Sequence, residues 1–165
     1  MNKKQIRKLA AIMFTDIAGY TALSSKDENK ALEYATKENH NNSKSYANMQ
    51  IGAVFHRQNN MIKSNEFLLK AYMYEKKREK QNKPQDPVKL FHTIGYLIMN
   101  FSMLGLEDSM YVYEQEYIAN ASKLNDVNLR TCYRRLKEWY ANVDNNEAVL
   151  KYELLFEKLD QKINN

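Results

Sequence analysis

From about Ser25 onward the apolar residues recur at three- and four-residue spacing, the period of amphipathic helices that each bury one stripe. Ser25-Lys26-Asp27-Glu28 has the form of a capping box, in which the serine hydroxyl and the glutamate three residues later each satisfy a free end amide. A helix through about Tyr34 to Lys37 follows, and the polar cluster Asn39-His40-Asn41-Asn42-Ser43 ends it, with Ser43 placed to cap the next. That next helix carries Ala47, Ile51, Val54 and Phe55 on one face and stops near Asn59-Asn60. Another starts at about Met61 with the stripe Ser64, Leu68, Ala71 and Tyr72, then runs out in the charged stretch Glu75 to Pro84, expected to be a solvated end and a linker. Asp86-Pro87 predicts a clean restart, aspartate at the cap and proline in the first turn where no amide is missed. Phe91, Ile94, Ile98 and Phe101 form its stripe up to the break at Leu104-Gly105. Glu107-Asp108 opens the following helix, where acid suits the dipole, and Met110, Tyr113, Tyr117, Ala121 and Leu124 form the stripe. After a turn at Asn125-Asp126 come Leu129, Cys132, Leu136, Tyr140 and Val143; after Asp144-Asn145-Asn146 come Ala148, Tyr152, Leu155, Phe156 and Leu159.

Composition agrees with an all-α fold. Four Gly and two Pro in 165 residues lie far below the average usage of about 12%, and a sheet-rich fold needs those residues for its tight turns. No apolar run approaches the roughly 20 residues that span a bilayer. The basic start Met1 to Lys8 leads into an apolar stretch, Leu9 to Phe14, too short for a signal peptide and followed by Asp16. The single cysteine, Cys132, forms no internal disulfide and suits a reducing cytoplasm, the expected location. With 44% hydrophobic residues the chain can bury a core, and a net charge of +5 permits a nucleic-acid partner without arguing for one.

The helices come in pairs, and the second helix of each pair repeats a small residue followed by apolar or aromatic ones: Ala31 with Leu32 and Tyr34, Ser64 with Leu68 and Ala71, Ser109 with Tyr113, Ala148 with Tyr152 and Leu155. Positions 31, 64, 109 and 148 are separated by 33, 45 and 39 residues. The first spacing is close to the roughly 34-residue period of tetratricopeptide repeats, and Ile51-Gly52 with Phe55 resembles the Leu-Gly-x-x-Tyr core of that family; Leu136 and Trp139-Tyr140 fall in comparable places. The resemblance covers about residues 26–162 and implies antiparallel helical hairpins. An unrelated bundle of amphipathic hairpins would give a similar pattern.

The first 25 residues differ. Arg7 to Leu23, with Leu9-Ala10-Ala11-Ile12-Met13-Phe14-Thr15-Asp16-Ile17 and then Ala18-Gly19-Tyr20-Thr21, closely resembles the opening of class III adenylate/guanylate cyclase catalytic domains, an apolar strand leading through a glycine turn into a helix. Asp27-Glu28 and Ala31-Leu32-Glu33 continue the likeness. The resemblance implies that the Asp16 carboxylate and the Ile17 carbonyl hold Mg²⁺ or Mn²⁺, and that the amides of Ala18, Gly19, Tyr20 and Thr21 take triphosphate oxygens. Family members carry a second metal-binding aspartate in a Gly-Asp-Gly-like hairpin, whereas the glycines here, at 19, 52, 95 and 105, are followed by Tyr, Ala, Tyr and Leu. Nothing resembles the later purine-binding or transition-state segments. Two metal ions need more than one carboxylate, so the chain by itself is not expected to make cyclic nucleotides, and no cofactor is expected for it alone. Residues 1–25 read either as the start of a shortened cyclase relative or as a fusion scar on the helical domain, 26–165.

The remaining chemistry is sparse. His40, His56 and His92 lie on separate segments without metal-ligand spacing, and Cys132 sits in a core stripe. Arg130, Arg134, Arg135 and Lys137 beside Trp139 are the candidate partner-binding residues, against the alternative of a solvated helix face; Tyr111, Tyr113 and Tyr117 suit core packing better than a peptide groove. The expected function is non-catalytic, a helical-repeat surface that binds a partner protein or peptide in bacterial cytoplasmic signalling, with no membrane. A cyclase-derived role for residues 9–23 and nucleic-acid binding through the Arg130–Lys137 face are the alternatives.

Overall fold

The structure, a computed structural model, describes residues 41–164. They form six helices and, among the described residues, no strand: α1 (Asn41–Arg57), α2 (Met61–Lys80), α3 (Pro87–Met103), α4 (Glu107–Leu124), α5 (Asp126–Ala141) and α6 (Asn146–Asn164). The expected helix over 34–37 lies outside the described residues. Ser43 falls within α1 rather than at its cap. Asp86 caps α3 as its sequence predicts, its side chain accepting from the amides of Val88 and Lys89 with Pro87 in the first turn.

The expected solvated end at Glu75 is corrected. α2 continues to Lys80 because Glu75 is fully buried, with Lys89 Nζ at 3.5 Å and Arg78 Nε at 3.9 Å. The linker is therefore only Gln81 to Asp86, and Asn82 turns it at φ 54°.

Four of the connections share one construction. Asn59, Asn82, Gly105 and Asp144 take φ 57°, 54°, 70° and 57°, the left-handed conformation. The following amide in each case reaches back five residues: Asn60 N–H to Phe55 O at 2.9 Å, Lys83 N–H to Arg78 O at 3.0 Å, Leu106 N–H to Phe101 O at 2.9 Å, Asn145 N–H to Tyr140 O at 3.1 Å. This is the Schellman closure of a helix end; it ends α2 before the linker and folds α1 onto α2, α3 onto α4 and α5 onto α6. In those last three turns the accepting residue is aromatic, at 55, 101 and 140, spacings of 46 and 39, whereas at the end of α2 it is Arg78. The small-residue register differs by one: Ser64 lies four residues beyond Asn60, but Ser109 and Ala148 lie three beyond Leu106 and Asn145. The residue equivalent to Ser64 is thus Met110, itself fully buried.

Consecutive helices pack on each other, and α3 also touches α1 and α5. His56 Nδ1 meets Asn100 Oδ1 at 2.6 Å, Ser102 Oγ donates to Trp139 O at 2.9 Å, and Asn142 Nδ2 donates to Ser102 Oγ at 2.8 Å. These bonds set the C-terminal ends of α1, α3 and α5 side by side. The main core lies among α3, α4, α5 and α6, and a smaller one holds Met49, Leu68, Ala71 and Leu97; Tyr72, Phe101 and Tyr113 pack against both.

α1 and α2 approach each other closely at Gly52. A Cβ there would lie 2.6 Å from Leu68 Cγ and 3.2 Å from Ser64 O, and Ser64 Oγ donates to Gly52 O at 2.7 Å. Leu68 is wholly buried, with neighbours packed around it. Gly52→Val is therefore expected to force the pair apart and to cost about 3 kcal/mol, read as a fall in urea midpoint at unchanged slope. A loss below about 0.5 kcal/mol, the range of an ordinary surface change, would contradict this close approach.

Candidate functional site

α3 carries a partly open stripe: Val88, His92, Tyr96, Met99 and Met103 recur at four- and three-residue spacing, with Val88, His92 and Met103 exposed and Tyr96 and Met99 half-buried against the core. The stripe's two edges carry different chemistry. Toward α1, Asn100 Nδ2 donates to Ser64 Oγ at 2.8 Å and to Asn65 Oδ1 at 2.7 Å. Its Oδ1 is thereby an acceptor, so the His56 Nδ1 facing it carries the proton and Nε2 remains the ring's basic nitrogen. The His56 ring tilts against Tyr96 at 5.4 Å. An imidazole held by a buried amide and an aromatic ring is positioned in advance, not free to rotate.

Toward α5, the basic cluster singled out from the sequence divides. Arg130 Nη1 pairs with Asp160 at 2.6 Å and Lys137 Nζ with Glu153 at 2.5 Å, both across to α6, while Arg134 reaches Glu138 of its own helix at 3.7 Å. Trp139 is 6% exposed and packs on Tyr117 at 5.6 Å, inside the core. Arg134 alone of these is an exposed side chain. Arg135 is half-buried, with Nη1 3.4 Å from the Tyr117 hydroxyl and its guanidinium 6.0 Å from the Phe91 ring centroid. The five residues do not make one surface.

The tyrosine run divides as well. Tyr117 is wholly buried and stacks on Phe91 at 4.8 Å; Tyr113 stacks on Phe101 at 5.9 Å and meets the edge of Tyr72 at 5.4 Å; Tyr111 is half exposed. Packing between helices accounts for the first two.

A buried carboxylate, absent from the sequence expectations, lies between α4, α5 and α6. Glu114 is 2% exposed and accepts from the Tyr140 hydroxyl and from Lys151 Nζ, the latter at 3.2 Å. Burial alone would push its acid up, but the hydroxyls of Tyr140 and Tyr152 and the Lys151 ammonium hold it below the usual carboxylate range. Burial and the same carboxylate push both phenols well above 10.0. The network binds three helices together and leaves the carboxylate no free face for a substrate. Burial pushes the Cys132 thiol far up, which makes it a poor nucleophile. Among the described residues no group of three or more His, Cys, Asp or Glu has the arrangement of a metal site.

His40 and the residues named by the cyclase resemblance, Asp16, Ile17, Ala18, Gly19, Tyr20 and Thr21, lie outside the described residues, as does the Mg²⁺ or Mn²⁺ position they imply. No family model matches the chain, and no curated protein matches it. No helix among the described residues is long and apolar enough to cross a membrane.

Proposed function

We propose that the chain is a non-catalytic, tetratricopeptide-like helical-repeat module that binds a partner protein or peptide on the face formed by α1, α3 and α5, in bacterial signalling. The observation that carries this reading is the aromatic anchor shared by the turns inside the three helix pairs. The helix-end closure falls on an aromatic residue at 55, 101 and 140 but on Arg78 at the turn between pairs, and this, together with adjacent C-terminal ends of α1, α3 and α5, fits a stack of like hairpins. Gly52, part of the Ile51-Gly52-x-x-Phe55 match to the family core, lies where α1 packs closely on Ser64 and Leu68 of α2, which supports the same reading. The buried titratable groups support a structural role in place of catalysis: Glu114, Cys132, Tyr140 and Tyr152 are enclosed. A nucleic-acid role is less well supported, because Arg130, Arg134 and Lys137 are already matched by carboxylates.

The recognition residues on this reading are Tyr96, Met99 and Arg134, the accessible aromatic, flexible and charged groups of adjoining helices. A displayed library of random peptides, selected on the intact chain, is expected to yield binders. Their affinity should fall roughly ten-fold or more in Tyr96→Ala and in Arg134→Glu, and stay unchanged in Met73→Ser, on the exposed side of α2. Circular dichroism confirms that each variant is folded. Selected peptides indifferent to Tyr96 and Arg134, or an empty selection, would overturn the assignment of this face.

A further inference from the structure

We infer that Arg135 and His92 form a binding site for a phosphoryl group. The inference is independent of peptide binding: it rests on an uncompensated charge. Arg130, Arg134 and Lys137 each have a carboxylate within 4.0 Å, but Arg135, half-buried among them, has none among the described residues. Of its five N–H donors, one reaches the Tyr117 hydroxyl, a neutral acceptor at 3.4 Å. A guanidinium partly removed from water and left without a counter-ion is costly, and the remaining donors of its planar fork match two oxygens of an oxyanion.

His92 supplies the second cation. Its ring meets the edge of Phe91 at 5.5 Å, and the Arg135 guanidinium lies 6.0 Å from the centroid of that same ring. Phe91 is in turn held by the stacked Tyr117 at 4.8 Å, so the platform under both groups is rigid. His92 is covered on one side by its neighbours and open to solvent on the other. Its acid is held below 6.5, by burial and then by the Arg135 charge, so the empty site keeps the imidazole neutral.

The other titratable groups around the pair are engaged elsewhere or neutral. Asp86, the carboxylate that acts on His92, is engaged by the amides of Val88 and Lys89 and by Lys89 Nζ at 3.8 Å. The groups that act on Arg135 are the Tyr117 phenol from α4 and the Cys132 thiol of α5, both kept neutral by burial. A phosphoryl dianion between Arg135 and His92 would draw a proton onto the imidazole and be met by two positive charges. A carboxylate, with one charge, is the poorer match.

The test is a proton NMR titration of the intact chain with inorganic phosphate, O-phosphoserine and acetate against chloride at equal ionic strength, following the imidazole signals, with His92→Gln and His40→Gln to assign them. Phosphate is expected to shift the His92 signals saturably and raise the His92 pKa while His56 stays fixed. Acetate is expected to bind at least roughly ten-fold more weakly, and Arg135→Gln to weaken phosphate by a similar factor. Binding of both phosphate and O-phosphoserine marks a site for a phosphoryl monoester on a partner; binding of phosphate alone marks a site for the free ion. Equal shifts at His56 and His92, equal effects of chloride and phosphate, or undiminished binding in Arg135→Gln would each overturn the inference. The comparison of His92 with His56 in the unaltered chain decides the matter even where Arg135→Gln is poorly folded.

Discussion

Tyr117→Ala is expected to be the most damaging single truncation in the described region. The ring is wholly buried, stacks on Phe91 of α3 at 4.8 Å, and meets Trp139 of α5 at 5.6 Å. Its edge also fills the space over Gly95, where a Cβ would lie 3.1 Å from a Tyr117 ring carbon. One side chain therefore joins three helices. Losing it leaves a cavity that rigid neighbours cannot close, and the expected cost is about 4 kcal/mol. A domain stable by roughly 5–15 kcal/mol would lose a large part of that margin. Trp139, the single tryptophan, reports the change directly, since it is 6% exposed and touches the altered ring. Urea unfolding followed by its fluorescence should show the lower midpoint. Tyr117→Phe, which removes only the hydroxyl facing Arg135, is expected to cost about 1 kcal/mol or less. Equal losses in the two variants would place the effect at the hydroxyl and not in the packing.

The helices were legible because their ends are marked in residues. Asn59-Asn60, Leu104-Gly105 and Asp144-Asn145 stand where each turn forms, and Asp86-Pro87 announces α3. The stripes were legible too: Leu68, Ala71, Tyr117, Leu136, Tyr140 and Tyr152 are all buried as their spacing requires. Polar residues inside a stripe were not. Glu75 follows Leu68 and Ala71 in register, and Glu114 falls between Met110 and Tyr117, so both occupy core positions; their charge pointed to solvent, and partners from other helices make burial tolerable. The arrangement of the basic cluster was not legible for the same reason. Arg130 and Lys137 meet Asp160 and Glu153 across α6, pairings that no local pattern encodes. Trp139 looked exposed because charged residues surround it in sequence, yet it lies three residues after Leu136 and one before Tyr140, within the same stripe.

Glu114 yields the second large effect and a pH signature that separates it from ordinary packing. Glu114→Ala removes the acceptor of the buried Tyr140 hydroxyl and the partner of Lys151, and is expected to cost about 3 kcal/mol. Lys151 is half exposed, so Lys151→Ala should cost less than about 1 kcal/mol. Glu114→Gln keeps the shape and discards the charge. Because the folded state holds Glu114 below its ordinary 4.5, the unfolded chain binds the extra proton first as the pH drops. The stabilisation is therefore complete above that value and disappears as the pH falls through the lowered one. His92, held below 6.5 mainly by burial, adds a limb of the same sign that begins at higher pH, so the Glu114 part is read below about pH 5. On the alkaline side the sign reverses. Tyr140 and Tyr152 are raised above 10.0, by burial first and then by the Glu114 charge, and the unfolded chain loses those protons earlier. Stability should fall as the pH rises above 10. Urea midpoints from pH 3 to pH 11 are expected to show both limbs in the unaltered chain, with the acid limb flattened and the alkaline limb reduced in Glu114→Gln. An acid limb unchanged in Glu114→Gln would remove Glu114 as its source, and the network would then be a packing feature in which the charge contributes nothing.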